Sequence, residues 1–191
     1  MYVICKMSHI VYVWVLLNNQ IQHKCVYVKK TIQYMNDVPI QYLNHIELRP
    51  RSLYKDPFYI GQYIVICECY YNNNPYSCIC PKPNKKQLYE IKQHYYILDS
   101  ENNPNEYDIT IFILEITHYL HYCGISLSYH FSLNSNEGLF ALHLSCDEKI
   151  WNQLWFCKYI ILMCGKQYNY KILFDKMDKD DFVCKFDNMK L

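Results

Sequence analysis

Short apolar runs separated by polar turns dominate the first part of the chain, and this pattern predicts β-strands. Tyr12–Leu17 and Lys24–Val28 are two predicted strands, joined by the polar turn Asn18–Gln20. Residues 29–48 are mixed and polar, with Pro39 as a breaker, so we expect irregular structure there. The beginning of the chain therefore predicts a β-hairpin followed by a less regular segment.

The next apolar run, Tyr63–Tyr71, predicts another strand, which ends at a turn over Asn72–Pro75. Pro81–Lys86 is rich in proline and charge and has no apolar periodicity, which is typical of a linker. We therefore expect an N-terminal domain over residues 1–80, a linker over 81–87 and a second domain over 88–191.

The second part of the chain mixes both periodicities. Leu88–Leu98 has the composition of a strand, and 99–105 that of a loop. The predicted helices are Ile109–Tyr122, closed by Gly124, and Asp147–Cys164, stopped by Gly165. The remaining predicted strands are Ile125–Phe131, Leu139–Leu144 and Tyr170–Phe174. Strands first and mixed elements afterwards predict an α+β fold.

Composition excludes some classes of function. About half of the 191 residues are apolar, enough for a real core, and the net charge is +1. We therefore expect no nucleic acid or membrane as a partner. The apolar run Ile10–Leu17 is too short to span a bilayer and lacks a following cleavage site, so a buried strand is favoured over a signal peptide.

Tyrosine is abundant and glycine is rare, with 21 Tyr and 4 Gly. With many Ile, Asn and Lys, this usage indicates an AT-rich genome, such as that of a large DNA virus or a reduced parasite. Eleven cysteines, an odd number spread through apolar segments, favour reduced thiols in a cytoplasmic protein over a secreted disulfide framework.

Two groups of residues are candidate metal ligands. Cys67, Cys69, Cys78 and Cys80 would supply four thiolates if a hairpin brought the two pairs together. Their i, i+2 spacing is awkward for chelation, so core or hairpin cysteines are favoured; a disulfide requires an oxidising compartment. His118 and His121 lie one helical turn apart, and without an acidic third ligand a pair on the helix surface is favoured.

A longer segment carries a family resemblance. Leu154–Ile161, running on to Phe174-Asp175, resembles the Leu-Trp helix and the following strand end of eukaryotic-type glutamine synthetases. Four further pieces are similar to the family in the same order: Tyr12–Val15, Lys55–Phe58 with Ile64–Glu68, Tyr89–Leu98, and Tyr122–Ile125. The alternative is an unrelated α+β protein. The resemblance implies an N-terminal β-grasp domain followed by a truncated part of the catalytic α/β barrel.

The family's enzymes use ATP and divalent cations held by glutamates to convert glutamate into glutamine. The resemblance places Lys92 and His94 at glutamates of the catalytic strand, Ala141 at a metal-binding glutamate and Asn44 at an aspartate of the ammonium-site loop. The segment 131–134 also lacks an acid, which leaves Glu137 as the one nearby substitute. The chain ends soon after Asp175, where the family's enzymes continue for roughly as long again.

These departures imply a pseudoenzyme, with no catalytic residues, no metal site and no cofactor. We expect a structural or protein-interaction module that self-associates or binds a host protein, in the host cytoplasm if the chain is viral. Two alternatives remain open: an unrelated viral host-interaction or immune-evasion protein, and a metal-binding enzyme with new chemistry that uses His94, His143 and some of the cysteines.

Overall fold

The computed structural model describes residues 7–16, 20–76, 88–99, 101, 106–125, 127–134, 138–146, 149–175 and 182–185. It forms two compact units, Met1–Cys80 and Pro81–Leu191. The predicted linker over 81–87 lies outside the described residues. No helix among the described residues is long and apolar enough to cross a membrane. The chain is α+β, as predicted.

The first unit is one mixed sheet with a short 3-10 helix at Met35–Asp37. Its strands are β1 (Ser8–Val15), β2 (Ile21–Val28), β3 (Gln41–Leu43), β4 (Ile46–Lys55), β5 (Tyr63–Tyr71) and β6 (Asn74–Pro75). The strand order is β2-β1-β5-β4-β3, with β6 paired to β5. β1 and β5 are parallel at the centre, and the other pairs are antiparallel.

Side chains on one face of this sheet build a core with the loop that follows β2. Its buried members are Ile10, Tyr12, Trp14, Ile32, Val38, Leu48, Val65, Cys67 and Cys69. The Tyr12 hydroxyl donates to the carbonyl oxygen of Pro39 over 2.9 Å. Pro39, predicted to interrupt regular structure, therefore connects the loop to the core through this hydrogen bond.

The expectation of irregular structure over residues 29–48 is wrong in its last part, where β3 and the beginning of β4 lie. Strands β3 and β4 form a hairpin there, and Asn44 at its turn has a positive φ of 55°. Pro50 and the charged residues of β4 conceal the strand in the sequence, because proline weakens a strand pattern. Pro50 is tolerated since β3 pairs only with Ile46–Leu48, and the β4–β5 register shifts between Pro50 and Ser52.

The second unit is an antiparallel sheet with two helices. Its strands are β7 (Leu88–Leu98), β8 (Leu127–Asn134), β9 (Leu139–Cys146), β10 (Lys171–Phe174) and β11 (Phe182–Lys185). The order is β10-β7-β9-β8, with β11 also paired to β7. The helices are α1 (Glu106–Tyr122) and α2 (Ile150–Gln167). Strand β11 lies beyond Tyr170–Phe174, the last strand predicted from the sequence.

Each of the two helices is followed by a residue with a positive φ angle. After α1, the amide of Ile125 donates to the carbonyl of Leu120, and Gly124 has the predicted positive φ of 76°. The predicted stop of α2 at Gly165 is wrong, because α2 continues to Gln167. Asn169, with a φ of 57°, takes the left-handed position instead.

Gly165 has another role. A Cβ atom at this position would lie 2.6 Å from Cγ1 of Ile172. Glycine therefore allows α2 to approach β10 closely. The glycine at this position reflects helix–strand packing and not the end of the helix.

Candidate functional site

The two faces of β7 differ sharply. One face points into the core and carries Tyr89, Ile91, Gln93, Tyr95 and Ile97, all buried. The other face carries residues of intermediate exposure: Glu90, Lys92, His94, Tyr96 and Leu98. This alternation follows from the two-residue period of a strand. The predicted degenerate positions of β7 thus lie on the less buried of its two faces.

The sheet register brings three of the four predicted positions together. His94 pairs with Ala141, and Lys92 pairs with His143 of β9. Residues directly opposite one another in an antiparallel pair share a face. Lys92, His94 and Ala141 therefore form one patch, which we call the β7–β9 patch and which includes His143. Asn44 is not part of it, since it lies in the β3–β4 turn of the first unit.

Nitrogen atoms dominate the polar groups of the β7–β9 patch. Nε2 of His94 is buried and has no hydrogen-bond partner among the described residues. Lys92 takes part in no ion pair among the described residues. The patch therefore presents an ammonium group and an imidazole with unused hydrogen-bonding capacity.

The patch is poorly suited to magnesium, which prefers oxygen ligands. Across the described residues, no group of three or more His, Cys, Asp or Glu side chains is arranged to hold a metal ion. His94 and His143 supply two imidazoles, which suit transition metals better than magnesium. Glu137, the nearby carboxylate identified from the sequence, lies outside the described residues, so the prediction made for it is not tested.

The opposite face holds a buried polar network that sequence reasoning missed. The Thr117 hydroxyl donates to the Ile113 carbonyl over 2.8 Å and therefore accepts from Nδ1–H of His130, 3.1 Å away. Nε2 of His130 is then unprotonated and accepts from the Tyr95 hydroxyl. Burial lowers the pKa of His130 to about 4 and raises that of Tyr95 well above its usual value. Both residues are neutral at pH 7.

The remaining candidate ligands are separated or exposed. Cys67 and Cys69 are buried free thiols of the first unit, and burial raises the pKa of Cys69 to about 12. Such thiols are protonated and inert. Cys78 and Cys80 lie outside the described residues, so the four-cysteine prediction is untested. His118 and His121 both lie exposed on α1, as a surface pair would.

An apolar pocket surrounds the turn that contains Asn44. It has a volume of about 360 Å³ and is lined by Leu43, Asn44, His45, Ile46, Tyr71 and Tyr76. The rings of Tyr71 and Tyr76 are 6.2 Å apart, and His45 meets Tyr71 edge-on at 6.3 Å. No sequence signal marks this pocket, because it depends on the pairing of β3, β4, β5 and β6.

The comparisons with known proteins identify the fold alone. No protein-family model and no curated protein matches the chain. Among solved structures, a GmaS/ADP complex in its conformation 1 is similar, with a TM-score of 0.60 and 12% sequence identity. The likeness covers 87% of this chain and 48% of the other, so the chain spans about half of that protein's length.

This likeness supports a glutamine synthetase-like fold, in agreement with the resemblance found in the sequence. It favours that interpretation over an unrelated α+β protein, since it covers both compact units. At 12% identity, the likeness carries no information about catalysis.

Proposed function

We propose that this chain is a non-catalytic glutamine synthetase-like protein that acts as a structural or protein-interaction module. The identity of the residues in the β7–β9 patch carries the proposal. Lys92, His94 and Ala141 stand where the resemblance places metal-binding glutamates, and the sheet register puts them side by side. A scaffold can keep its fold while its site chemistry changes.

Coulomb repulsion from Lys92 would make cation binding at the patch unfavourable. A unit positive charge about 4 Å from the Lys92 ammonium is repelled by roughly 4 kcal/mol at an effective dielectric constant near 20. A divalent cation would meet about twice that repulsion. Ala141 offers no ligand atom, and imidazole is a poor ligand for magnesium. Phosphoryl transfer depends on cations that neutralise developing charge, so losing them removes the reaction's main source of stabilisation.

The architecture supports the finer assignment of the two units. In the first unit, the central strands β1 and β5 run parallel and are flanked by antiparallel β2 and β4, and this arrangement supports our assignment of a β-grasp. We assign the second unit, with helices against one face of an antiparallel sheet, to part of the catalytic domain.

An interaction role is supported by apolar side chains exposed on α1. Ile111 is 59% exposed and Leu114 is 64% exposed, and the two lie one turn apart on the helix. Exposed apolar groups that cluster mark contact surfaces. The host cytoplasm and a large AT-rich DNA virus remain our proposed setting, on the basis of composition together with the resemblance to an enzyme that has lost its catalytic carboxylates. Size-exclusion chromatography with light scattering tests self-association. If the chain is a monomer, self-association is refuted and binding to a host protein is the remaining interaction role.

An activity assay tests the central proposal. The purified chain is incubated with glutamate, ammonia, ATP and Mg²⁺ or Mn²⁺, with an active glutamine synthetase as the positive control. We expect no glutamine and no ATP consumption that depends on glutamate. Glutamine formation above background, abolished by EDTA, would overturn the proposal.

The second candidate is an enzyme with new metal chemistry, favoured by the buried, unpaired Nε2 of His94. Elemental analysis of the purified chain distinguishes it. Stoichiometric zinc that is lost in a His94→Gln variant would support that candidate over a module without metal.

A further inference from the structure

We propose that the apolar pocket at the β3–β4 turn binds a neutral, planar aromatic ring that carries a hydrogen-bonding group on its edge. The pocket lies wholly within the first unit, so the proposal goes beyond the proposed function and does not depend on it. Two sources supply such a ring: a free small molecule and the side chain of a partner protein. Three observations support the proposal: the sheet register, the angles between the aromatic rings and the uncharged lining.

The sheet register builds the floor of the pocket. Leu43 pairs with Ile46, and Ile46 pairs with Tyr71, so the three side chains form a row on one face of β3, β4 and β5. Leu48 and Cys69 lie two residues further into β4 and β5 on the same face, and both are fully buried in the core. Tyr71, in contrast, is 44% exposed. The apolar face of the sheet therefore extends beyond the part that the core covers, and the pocket lies at this end.

Three aromatic rings line the pocket at different angles. The rings of Tyr71 and Tyr76 are tilted by 48° with centroids 6.2 Å apart, and His45 meets Tyr71 at 86° and 6.3 Å. Aromatic pairs favour offset-stacked and edge-to-face arrangements at centroid distances of about 4.5–7 Å. Rings in these orientations offer both kinds of contact to one incoming ring. A backbone hydrogen bond of 2.8 Å from the Tyr76 amide to the Cys69 carbonyl holds Tyr76 beside β5.

The size and charge of the pocket select the class of ligand. Its volume of about 360 Å³ lies within the usual range of small-ligand pockets, about 300–1,000 Å³. None of the described residues that line it is Asp, Glu, Lys or Arg, so no opposite charge there offsets the cost of removing an ion from water. The Asn44 amide and the hydroxyls of Tyr71 and Tyr76 supply donors and acceptors for a polar group. A neutral aromatic ring with an N–H or O–H on its edge meets both requirements.

Indole is the probe for a free ring, and N-acetyltryptophanamide is the probe for a protein side chain. Each is titrated at pH 8 into the full chain labelled with ¹⁵N, and amide chemical shifts give the dissociation constant. We expect the shifted amides to belong to residues 43–46, Tyr71 and Tyr76. Tyr71→Ala and Tyr76→Ala each remove one ring and are expected to weaken binding about ten-fold. Tyr71→Phe keeps the ring and is expected to bind.

Tyr42→Ala is the matched control, because Tyr42 lies beside Leu43 on β3, is 67% exposed and does not line the pocket. This variant is expected to bind as the native chain does. Cyclohexanol, a ring with a hydroxyl group but no aromatic face, is expected to bind about ten-fold more weakly than indole. Circular dichroism checks that each variant is folded, and the shift map of the native chain keeps the test decisive if an alanine variant fails to fold.

Four outcomes would overturn the proposal: no binding of either probe by the native chain, shifted amides that lie away from the pocket, equal binding by both alanine variants, or cyclohexanol binding as tightly as indole. The relative affinity of the two probes identifies the source of the ring. Tighter binding of N-acetyltryptophanamide assigns the ring to a partner protein, and tighter binding of indole assigns it to a free small molecule. The proposal stands in both cases.

Discussion

Acid is expected to destabilise the second unit through His130. This residue accepts a hydrogen bond from Tyr95 and donates one to Thr117, so both ring nitrogens are used by the neutral form. Protonating Nε2 would place two donors, the Tyr95 hydroxyl and the imidazolium, against each other in the interior. Burial accordingly lowers the pKa of His130 from 6.5 to about 4.

Proton linkage gives the sign and size of the change in the free energy of unfolding with pH. Between pH 6.5 and about 4 the unfolded chain binds more protons at this histidine than the folded chain does. The stabilisation is therefore fully present above pH 6.5 and is lost as the pH falls to about 4. At 1.36 kcal/mol for each pKa unit, the loss is about 3 kcal/mol. Asp56 acts in the opposite sense, since burial raises its pKa.

Urea unfolding at several pH values from 7.5 to 4.5 measures the effect, in the native chain and in His130→Gln. Glutamine keeps one acceptor and one donor but does not titrate, so we expect a flatter pH dependence in the variant. His118→Gln, on the exposed side of α1, is the matched control and is expected to follow the native curve. An NMR titration of His130 gives its pKa directly.

Two results would refute this reasoning. An NMR pKa of His130 near 6.5 would show that burial does not disfavour its charge. Parallel pH curves for the native chain and His130→Gln would show that the network contributes no linkage to folding.

Three further predictions concern packing and reactivity. Gly165→Ala is expected to destabilise the fold by about 1–3 kcal/mol in urea, because the new methyl group would lie 2.6 Å from Ile172; unchanged stability would contradict the close approach. Alkylation followed by peptide mass spectrometry is expected to modify exposed Cys25 well before buried Cys67, and equal rates would contradict their burial. Glu115→Gln is expected to lower stability by about 1–2 kcal/mol, since its carboxylate accepts from two tyrosine hydroxyls; an unchanged urea midpoint would count against this.

Strong local patterns allowed several elements to be predicted from the sequence. Tyr63–Tyr71 and Leu88–Leu98 match β5 and β7 at both ends, since apolar and aromatic residues fill each strand and a turn follows β5. β4 was missed because its apolar alternation is broken by Pro50 and by charged residues. Gly165 was misread because a glycine that ends a helix and a glycine that allows close packing give the same sequence signal.

The site was harder to predict. Lys92, His94 and Ala141 were identified singly from the resemblance, but their adjacency depends on the β7–β9 register, which links residues far apart in sequence. The network of Tyr95, His130 and Thr117 has no motif at all, because its members come from two strands and a helix. Nothing in a linear pattern indicates which side chains meet across a sheet.

The two faces of β7 make different contributions to the fold. Ile91, Tyr95 and Ile97 are fully buried, and packing of this kind dominates the stability of a domain. Lys92 and His94 belong to the other face, whose side chains on β7 are of intermediate exposure. A strand of this kind can carry different polar groups on its less buried face while α2 stays packed on its opposite side.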